Sequence, residues 1–341
     1  MANTPHKLVS LPNRSYQAMA RSEIKKIAAA TGFSKKRMAE LEIVVAEITT
    51  NLVKHASKGG HILVKQLPED NPGIEMISID DGPGMSAVAK MMEDGISTTN
   101  TMGHGLGAIK RLSDDFDIYS QKDWGTILLS RIYVHKPAAF PKKTVDIRTV
   151  MIAKEGETSC GDNYEYIIKG NQVKIVVSDG LGHGEDASIA ATASLLAFRN
   201  NYKTKANELL KLIHTEIRKT RGVVMSITDI DFNNKQFSYC GIGNITAKLV
   251  GIDHKQRSCI SYNGIVGHSV PSTIHNHMYQ WAKNDLLIIH SDGLSTRWDL
   301  QKYPSITKHD CSIIVAALYK DHNRGNDDVT ILAITQKQAT K

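Results

Sequence analysis

The phrase Ser-Asp-Gly-Leu occurs twice, around Asp179 and Asp292. Each copy closes an apolar run, Val173-Lys174-Ile175-Val176-Val177 before the first and Leu286-Leu287-Ile288-Ile289 before the second. Runs rich in Val and Ile read as buried strands. Both carboxylates then stand at strand ends, where glycine lets the backbone turn sharply beside a ligand. Acids repeated at strand ends point to a metal site. The first part of the chain carries a different constellation, one suited to a nucleotide.

At 341 residues the chain exceeds the usual size of one domain, so two domains, each with its own core, are expected. No apolar run approaches the roughly 20 residues that cross a bilayer, and the N-terminal residues lack the apolar core of a secretory signal. A cytoplasmic protein without membrane partners is therefore expected. Cys160, Cys240, Cys259 and Cys311 show no Cys-x-x-Cys spacing, which indicates reduced thiols and neither a zinc cluster nor a disulfide framework. Lys plus Arg exceeds Asp plus Glu by 42 to 35, a net charge of +7. The excess is spread along the chain in short pairs that read as solvated faces, so nucleic acid is not the expected partner.

A stretch with two prolines and several basic residues, Val134 to Lys143, reads as a linker. It divides the sequence into residues 1–135, a linker at 136–143, and residues 144–341. Upstream, helices are predicted over 15–30, 35–56 and 105–112, with strands near 61–66, 74–79, 116–120 and 126–134, which makes an α/β layer. Downstream, strands dominate: 145–153, 173–177, 223–230, 237–240, 247–250, 286–290 and 329–334. Two consecutive helices, 187–199 and 206–220, sit among them. Helices grouped beside many strands predict an α+β sandwich.

On the helix predicted over residues 38–56, Glu47, Asn51 and His55 recur every fourth residue beside an apolar face of Leu41, Val44, Val45, Ile48 and Leu52. Asn can ligate Mg2+ while Glu accepts a proton, the combination a phosphoryl transfer needs. Asp80-x-Gly82-x-Gly84 follows a strand and places an acid where it can face an adenine amino group. Gly103-x-Gly105-x-Gly107 leads into a helix whose exposed amides can hold phosphates.

In this order, and followed by Gly125-Thr126, these elements resemble the N, G1 and G2 boxes of the GHKL ATP-binding fold over about residues 8–134. Residues 91–99 and 110–116 look most like the RsbT-type serine/threonine kinases of bacterial stress signalling. The resemblance implies Glu47 as catalytic base, Asn51 as Mg2+ ligand, and Asp80 with Thr126 as adenine contacts. Gly82, Gly84, Gly103, Gly105 and Gly107 would form the nucleotide loops, with residues 95–102 as the lid. Related anti-sigma kinases carry an arginine near the second glycine box. Gly103 and His104 occupy that neighbourhood here, with Lys110 or Arg111 as substitutes farther along.

Gly161-Asp162, Asp179, Asp292 and Asp327-Asp328 form four acidic stations spread through the second part. Hard divalent cations prefer carboxylate, carbonyl and water oxygens, and two such ions sharing a carboxylate can activate water against a phosphoester. The order of these stations resembles the metal-dependent PPM phosphatases of the SpoIIE and RsbX kind, over about residues 145–336. That resemblance makes Asp179 the bridging ligand and catalytic centre, Gly180 a carbonyl ligand, and Asp162, Asp292 and Asp327 the remaining metal ligands. Asp328 carries no assigned role. Eukaryotic members place a His directly after the Asp-Gly pair, whereas Leu181 stands there and His183 comes two residues later.

The resemblances together imply an N-terminal GHKL α/β sandwich and a C-terminal PPM-type α-β-β-α sandwich. The expected cofactors are ATP with one Mg2+ or Mn2+, and two further ions in the phosphatase site. The expected protein phosphorylates and dephosphorylates Ser or Thr on a STAS-domain antagonist in a partner-switching or stressosome pathway, among sigma-factor regulators. An alternative is a phosphatase whose GHKL domain binds ATP and a partner without transferring phosphate.

Overall fold

In the computed structural model, residues 4–56, 59–68, 70–85, 105–136 and 144–336 are described. Two compact units emerge, and they do not follow the chain linearly. One takes His6–Pro141 together with Lys302–Lys320; the other takes Met1–Pro5, Lys142–Gln301 and Asp321–Lys341. Most of the predicted linker lies outside the described residues.

The N-terminal unit is an antiparallel sheet with helices on one face. Its strands are β1 (Lys7–Leu11), β2 (Gly60–Gln66), β3 (Gly73–Asp80), β4 (Asp115–Gln121) and β5 (Gly125–Tyr133), in the order β1-β2-β3-β5-β4. Helices α1 (Gln17–Ala29), α2 (Lys35–His55) and α3 (Gly105–Leu112) accompany them. Ser34 starts α2 by accepting the Arg37 amide at 3.2 Å, satisfying one of the free N–H groups of the first turn. The predicted face of Leu41, Val44, Val45, Ile48 and Leu52 packs into the core with Ile24. This leaves the Glu47 and Asn51 stripe only partly covered.

Strand β3 is buried at every position from Gly73 to Ile79, so the sheet is covered on both faces. Part of the second cover comes from far along the chain. Residues 302–320 run into α6 (Cys311–His322), a helix absent from the sequence expectation, and Cys311 through Tyr319 are all buried. Arg131 of β5, fully buried, reaches Glu75 of β3 at 2.6 Å and Ser312 Oγ of α6 at 2.6 Å. Its guanidinium also contacts Asp310 at 3.0 Å and Asp115 at 3.3 Å. Burial opposes the charge on Glu75. Arg131, Lys65 and His6 outweigh it and hold the carboxyl well below its ordinary value.

The second unit contains two sheets face to face. One has the order β13-β10-β9-β8-β7, with β14 beside β10; the other has β12-β11-β15-β16-β6. The first sheet comprises β7 (Asp162–Lys169), β8 (Gln172–Gly180), β9 (Val223–Asp231), β10 (Gln236–Ile242), β13 (Ser261–Tyr262) and β14 (His277–Gln280). The second comprises β6 (Val145–Ile152), β11 (Thr246–Val250), β12 (Gln256–Ser258), β15 (Leu286–His290) and β16 (Val329–Gln336). Alternate residues of β8, Val173, Ile175 and Val177, meet Leu287, Ile289 and Leu332 between the sheets. Val176 faces the other way, toward α4 (Glu185–Asn201) and α5 (Ala206–Glu216). The fold class is the expected α+β one, an N-terminal α/β domain and a C-terminal α-β-β-α domain.

Removing a buried cation strands its carboxylates. Arg131→Met should therefore cost roughly 3–5 kcal/mol in urea unfolding, with part of the loss recovered when Glu75→Gln is added.

Candidate functional sites

In the N-terminal unit, α2 and α3 meet where the second glycine box opens its helix. A Cβ placed on Gly105 would lie 2.8 Å from Glu47 Oε2 and 3.6 Å from Asn51 Oδ1. A carboxylate, a carboxamide and the first turn of α3 therefore share one point. Asp80 ends β3 opposite Thr126 of β5. Its Oδ1 accepts the Gly82 amide at 2.8 Å and the Thr126 amide at 3.2 Å, while the Thr126 hydroxyl sits 2.9 Å from Ser120 Oγ. Burial raises the Asp80 pKa, and those two backbone bonds resist the rise. Gly84 adopts φ +67, and a Cβ there would come 1.9 Å from the Gln121 carbonyl oxygen, so this turn demands glycine. Gly107 is buried within α3, whereas Lys110 and Arg111 are exposed on it. Gly103 and the lid expected over 95–102 lie outside the described residues.

In the second unit, the acidic stations gather at one end of the two sheets. Asp162 opens β7 directly across from Asp179 on β8. Asp162 Oδ2 accepts the Ser291 hydroxyl at 2.6 Å, and Ser291 Oγ in turn accepts the Thr330 amide at 2.9 Å, tying the first Asp to the second Ser-Asp-Gly phrase and to β16. Asp162 Oδ1 is buried without a hydrogen-bond partner. Asp292 Oδ2 accepts from Asn244 at 2.7 Å. Asp327 Oδ1 accepts the Asp328 amide at 2.9 Å. Gly180 and Gly293 permit close crossings, since a Cβ would come 2.2 Å from the Ala187 carbonyl oxygen and 2.0 Å from that of Asp328.

Electrostatics binds these stations into one group. Burial pushes the Asp179 pKa up strongly, and the charges of Asp162, Asp292, Asp327 and Asp328 push it further. Asp162 is likewise raised, by burial first, although the Ser291 hydrogen bond opposes the shift. So much unbalanced negative charge at a partly buried point calls for a cation. Among the described residues no three His, Cys, Asp or Glu side chains already converge on a single position. The orphaned Asp162 Oδ1 fits the demand for a cation.

Asp328, unassigned from sequence, is a staple. Its Oδ1 accepts the Lys154 amide and its Oδ2 the Gly161 amide, both at 2.9 Å, which fixes the loop before Asp162. His183 lies 2.6 Å from Glu157 and is half exposed. His290 is fully buried between the Ser291 carbonyl oxygen, 2.8 Å from Nδ1, and the Trp298 indole N–H, 3.1 Å from Nε2. Because Nε2 accepts from Trp298, the ring is neutral, and burial lowers its pKa to about 4. Ser291 and Asn244 escaped the sequence reading. Ser291 could have been found from its place in the repeated phrase, whereas Asn244 had no signal.

A cavity of about 570 Å3 opens elsewhere on the first sheet, lined by Lys169, Lys174, Lys203 and Lys205 with Asp229. Lys174 is already bound to Asp229 at 3.2 Å and to the Thr204 carbonyl oxygen at 2.5 Å, so the carboxylate group remains the better reaction centre.

Comparison with known proteins assigns both halves. Residues 10–132 match the histidine kinase-like ATPase domain, and residues 169–337 match the stage II sporulation protein E (SpoIIE) model. The serine/threonine-protein kinase RsbT of Bacillus subtilis (strain 168) is 33% identical over 107 residues, 31% of this chain and 80% of RsbT. The chain is an RsbT-like GHKL domain fused to a SpoIIE/RsbX-like PPM domain. The phosphoserine phosphatase RsbX of the same organism is 27% identical over 142 residues, 42% of this chain and 71% of RsbX. A crystal structure of RsbX in complex with magnesium superposes with a TM-score of 0.53 at 22% identity, covering 58% of this chain and 98% of that one. Both domains of this RsbT/RsbX-like fusion thus belong to enzyme families.

A carboxyl whose folded pKa is raised binds its proton more tightly in the native state, so its contribution to stability falls as pH rises above the unfolded value. In chelator, Asp179→Asn should therefore melt at a higher temperature than the parent, with the gap widening from pH 5 to pH 8. With saturating Mn2+ the order should reverse, because the parent gains binding free energy of about 2.7 kcal/mol at 100 times Kd.

Proposed function

We propose that this protein is a bifunctional switch that phosphorylates and dephosphorylates serine or threonine on a STAS-domain partner. In the kinase reaction, Glu47 takes the proton of the attacking hydroxyl, Asn51 holds the Mg2+ that accompanies ATP, and Asp80 and Thr126 receive the adenine. The glycine boxes, from Gly82 and Gly84 to Gly103, Gly105 and Gly107, shape the phosphate pocket at the start of α3. In the phosphatase reaction, Asp179, with Asp162, Asp292, Asp327 and the Gly180 carbonyl, would hold the divalent ions. Ions bound there supply Lewis-acid activation of water for attack on the phosphoester. Ser291 and Asp328 keep Asp162 and its loop in place.

The observation that supports this most is the pairing of Asp162 with Asp179 across β7 and β8, with three further carboxylates raising the Asp179 pKa. The meeting of Glu47 and Asn51 at Gly105 is its counterpart for ATP. RsbT and RsbX, named as a serine/threonine kinase and a phosphoserine phosphatase, suggest the pairing of opposed activities and a partner-switching setting.

A second reading keeps the phosphatase and makes the GHKL domain an ATP-dependent binding module. It is favoured by the exposure of Lys110 and Arg111, the candidate substitutes for the arginine of related kinases.

Labelled ATP, a STAS-domain partner and Mn2+ separate the two readings. A bifunctional switch should leave label on the partner with Asp179→Asn and little with the parent, and Glu47→Ala added to Asp179→Asn should abolish it. No label with any variant, alongside loss of phosphate from a prephosphorylated partner, would leave the binding module standing.

A further inference from the structure

Residues 302–320 leave the phosphatase sequence between its Asp292 and Asp327 stations, yet they fold as part of the N-terminal unit. Their seating there is specific. The Tyr119 hydroxyl donates to the Pro304 carbonyl oxygen at 3.3 Å, and Trp124 and Tyr303 meet edge to face at 5.7 Å. Asp117 of β4 accepts the Asp310 amide at 2.7 Å and lies 2.9 Å from His309 Nδ1. Arg131 grips Asp310 and Ser312. At the far end of α6, Tyr319 packs against His61 at 5.9 Å, and Lys320 pairs with Asp81, the neighbour of Asp80 in the nucleotide pocket.

Immediately beyond Lys320 the chain enters the carboxylate site. The His322 carbonyl oxygen accepts the Ser295 amide at 2.9 Å, Asn323 bridges to Leu294, and the Arg324 amide donates to the Gly293 carbonyl oxygen at 2.9 Å. Thus the exit of α6 is stitched to the loop carrying Asp292, and Asp327 and Asp328 follow within the same stretch. Gly293 also lies against the backbone of Asp328. These backbone bonds tie the helix exit to the Asp292 loop, whereas the chain reaches Asp327 through exposed Gly325 and Asn326.

We propose that residues 302–320 are an intramolecular docking segment whose seating on the ATP-binding unit sets the divalent-cation affinity of the Asp179 site. The proposal rests on the metal reading of that site. Helix α6 is held by polar groups at its start and end and is buried from Cys311 to Tyr319. Buried polar contacts specify one position more than they add stability. A segment of this kind has two discrete states, seated or released, and only the seated one holds the Gly293 and Arg324 backbones in their present register. A ligand that changes the Asp80–Asp81 turn acts on Lys320 and hence on seating. Coupling of this sort changes affinity about 5- to 150-fold and acts equally in both directions.

The test uses the full chain with Asp117→Ala and Lys320→Met, neither of which touches a proposed metal ligand. Two quantities are read: Mn2+ affinity by calorimetry, and amide exchange of residues 293–295 and 322–324 in the metal-free protein. Seating control requires faster exchange in both stretches and Mn2+ binding weakened roughly 5-fold or more in at least one variant. Faster exchange in both stretches with Mn2+ affinity unchanged within about twofold would overturn it, since this lies below the range that coupling demands. Unchanged exchange in both variants would overturn it too, by showing that these contacts do not seat the segment. A parent chain with no titratable Mn2+ binding would defeat the metal reading itself, a distinct failure visible before any variant is made.

Discussion

The guanidinium of Arg131 is the interaction on which the arrangement of the N-terminal unit depends. It is fully buried on β5, and its partners come from β3, β4 and the segment before α6. A cation in such a place is tolerated only with several acceptors, and Glu75, Asp115 and Asp310 provide them. One of these acceptors lies 179 residues away in sequence. One face of the sheet in the ATP-binding unit is consequently covered in part by residues from far along the chain.

The carboxylate group in the other unit shows the opposite electrostatic condition. Around Arg131 the charges balance, whereas around Asp179 negative charge accumulates, relieved by hydroxyl and amide donors and, at Asp292, by the charge of Arg324. Ser291, Asn244 and the amides that Asp328 accepts position the carboxylates without neutralising them. That difference distinguishes a structural ion cluster from a site awaiting a ligand.

Much of this was legible in the sequence, and the reasons are local. Strand-ending Ser-Asp-Gly phrases announced Asp179 and Asp292, because a buried strand followed by glycine leaves few places for the acid to go. The three- and four-residue spacing on α2 placed Glu47 and Asn51 on one stripe, and the Gly105 approach fits that placement. What escaped was nonlocal or without period. Cys311 to Tyr319 is apolar except for Ser312 and the Tyr319 hydroxyl, so it shows no amphipathic pattern from which a helix can be told from a buried strand. Strand β1 is short and lies at the sheet edge, and Asp328 looks like one more acid of a pair until its partners at Lys154 and Gly161 are seen. The returning segment could not be read at all, since Arg131 and Asp310 lie in regions that each look ordinary alone.

The two candidate sites also differ in what they require before a ligand arrives. Asp80 is held by two backbone amides that its own turn and β5 supply, and the charge of Lys320 favours its ionised form. The carboxylates at Asp179 are brought together against their mutual repulsion, and only the fold restrains them. A site of the first kind changes little when empty. One of the second kind relaxes wherever its restraints are weakest, and two of its four stations are joined through the segment that ends at Lys320. Under the docking proposal, a change at the Asp80–Asp81 turn would reach the carboxylates through how firmly that segment is held.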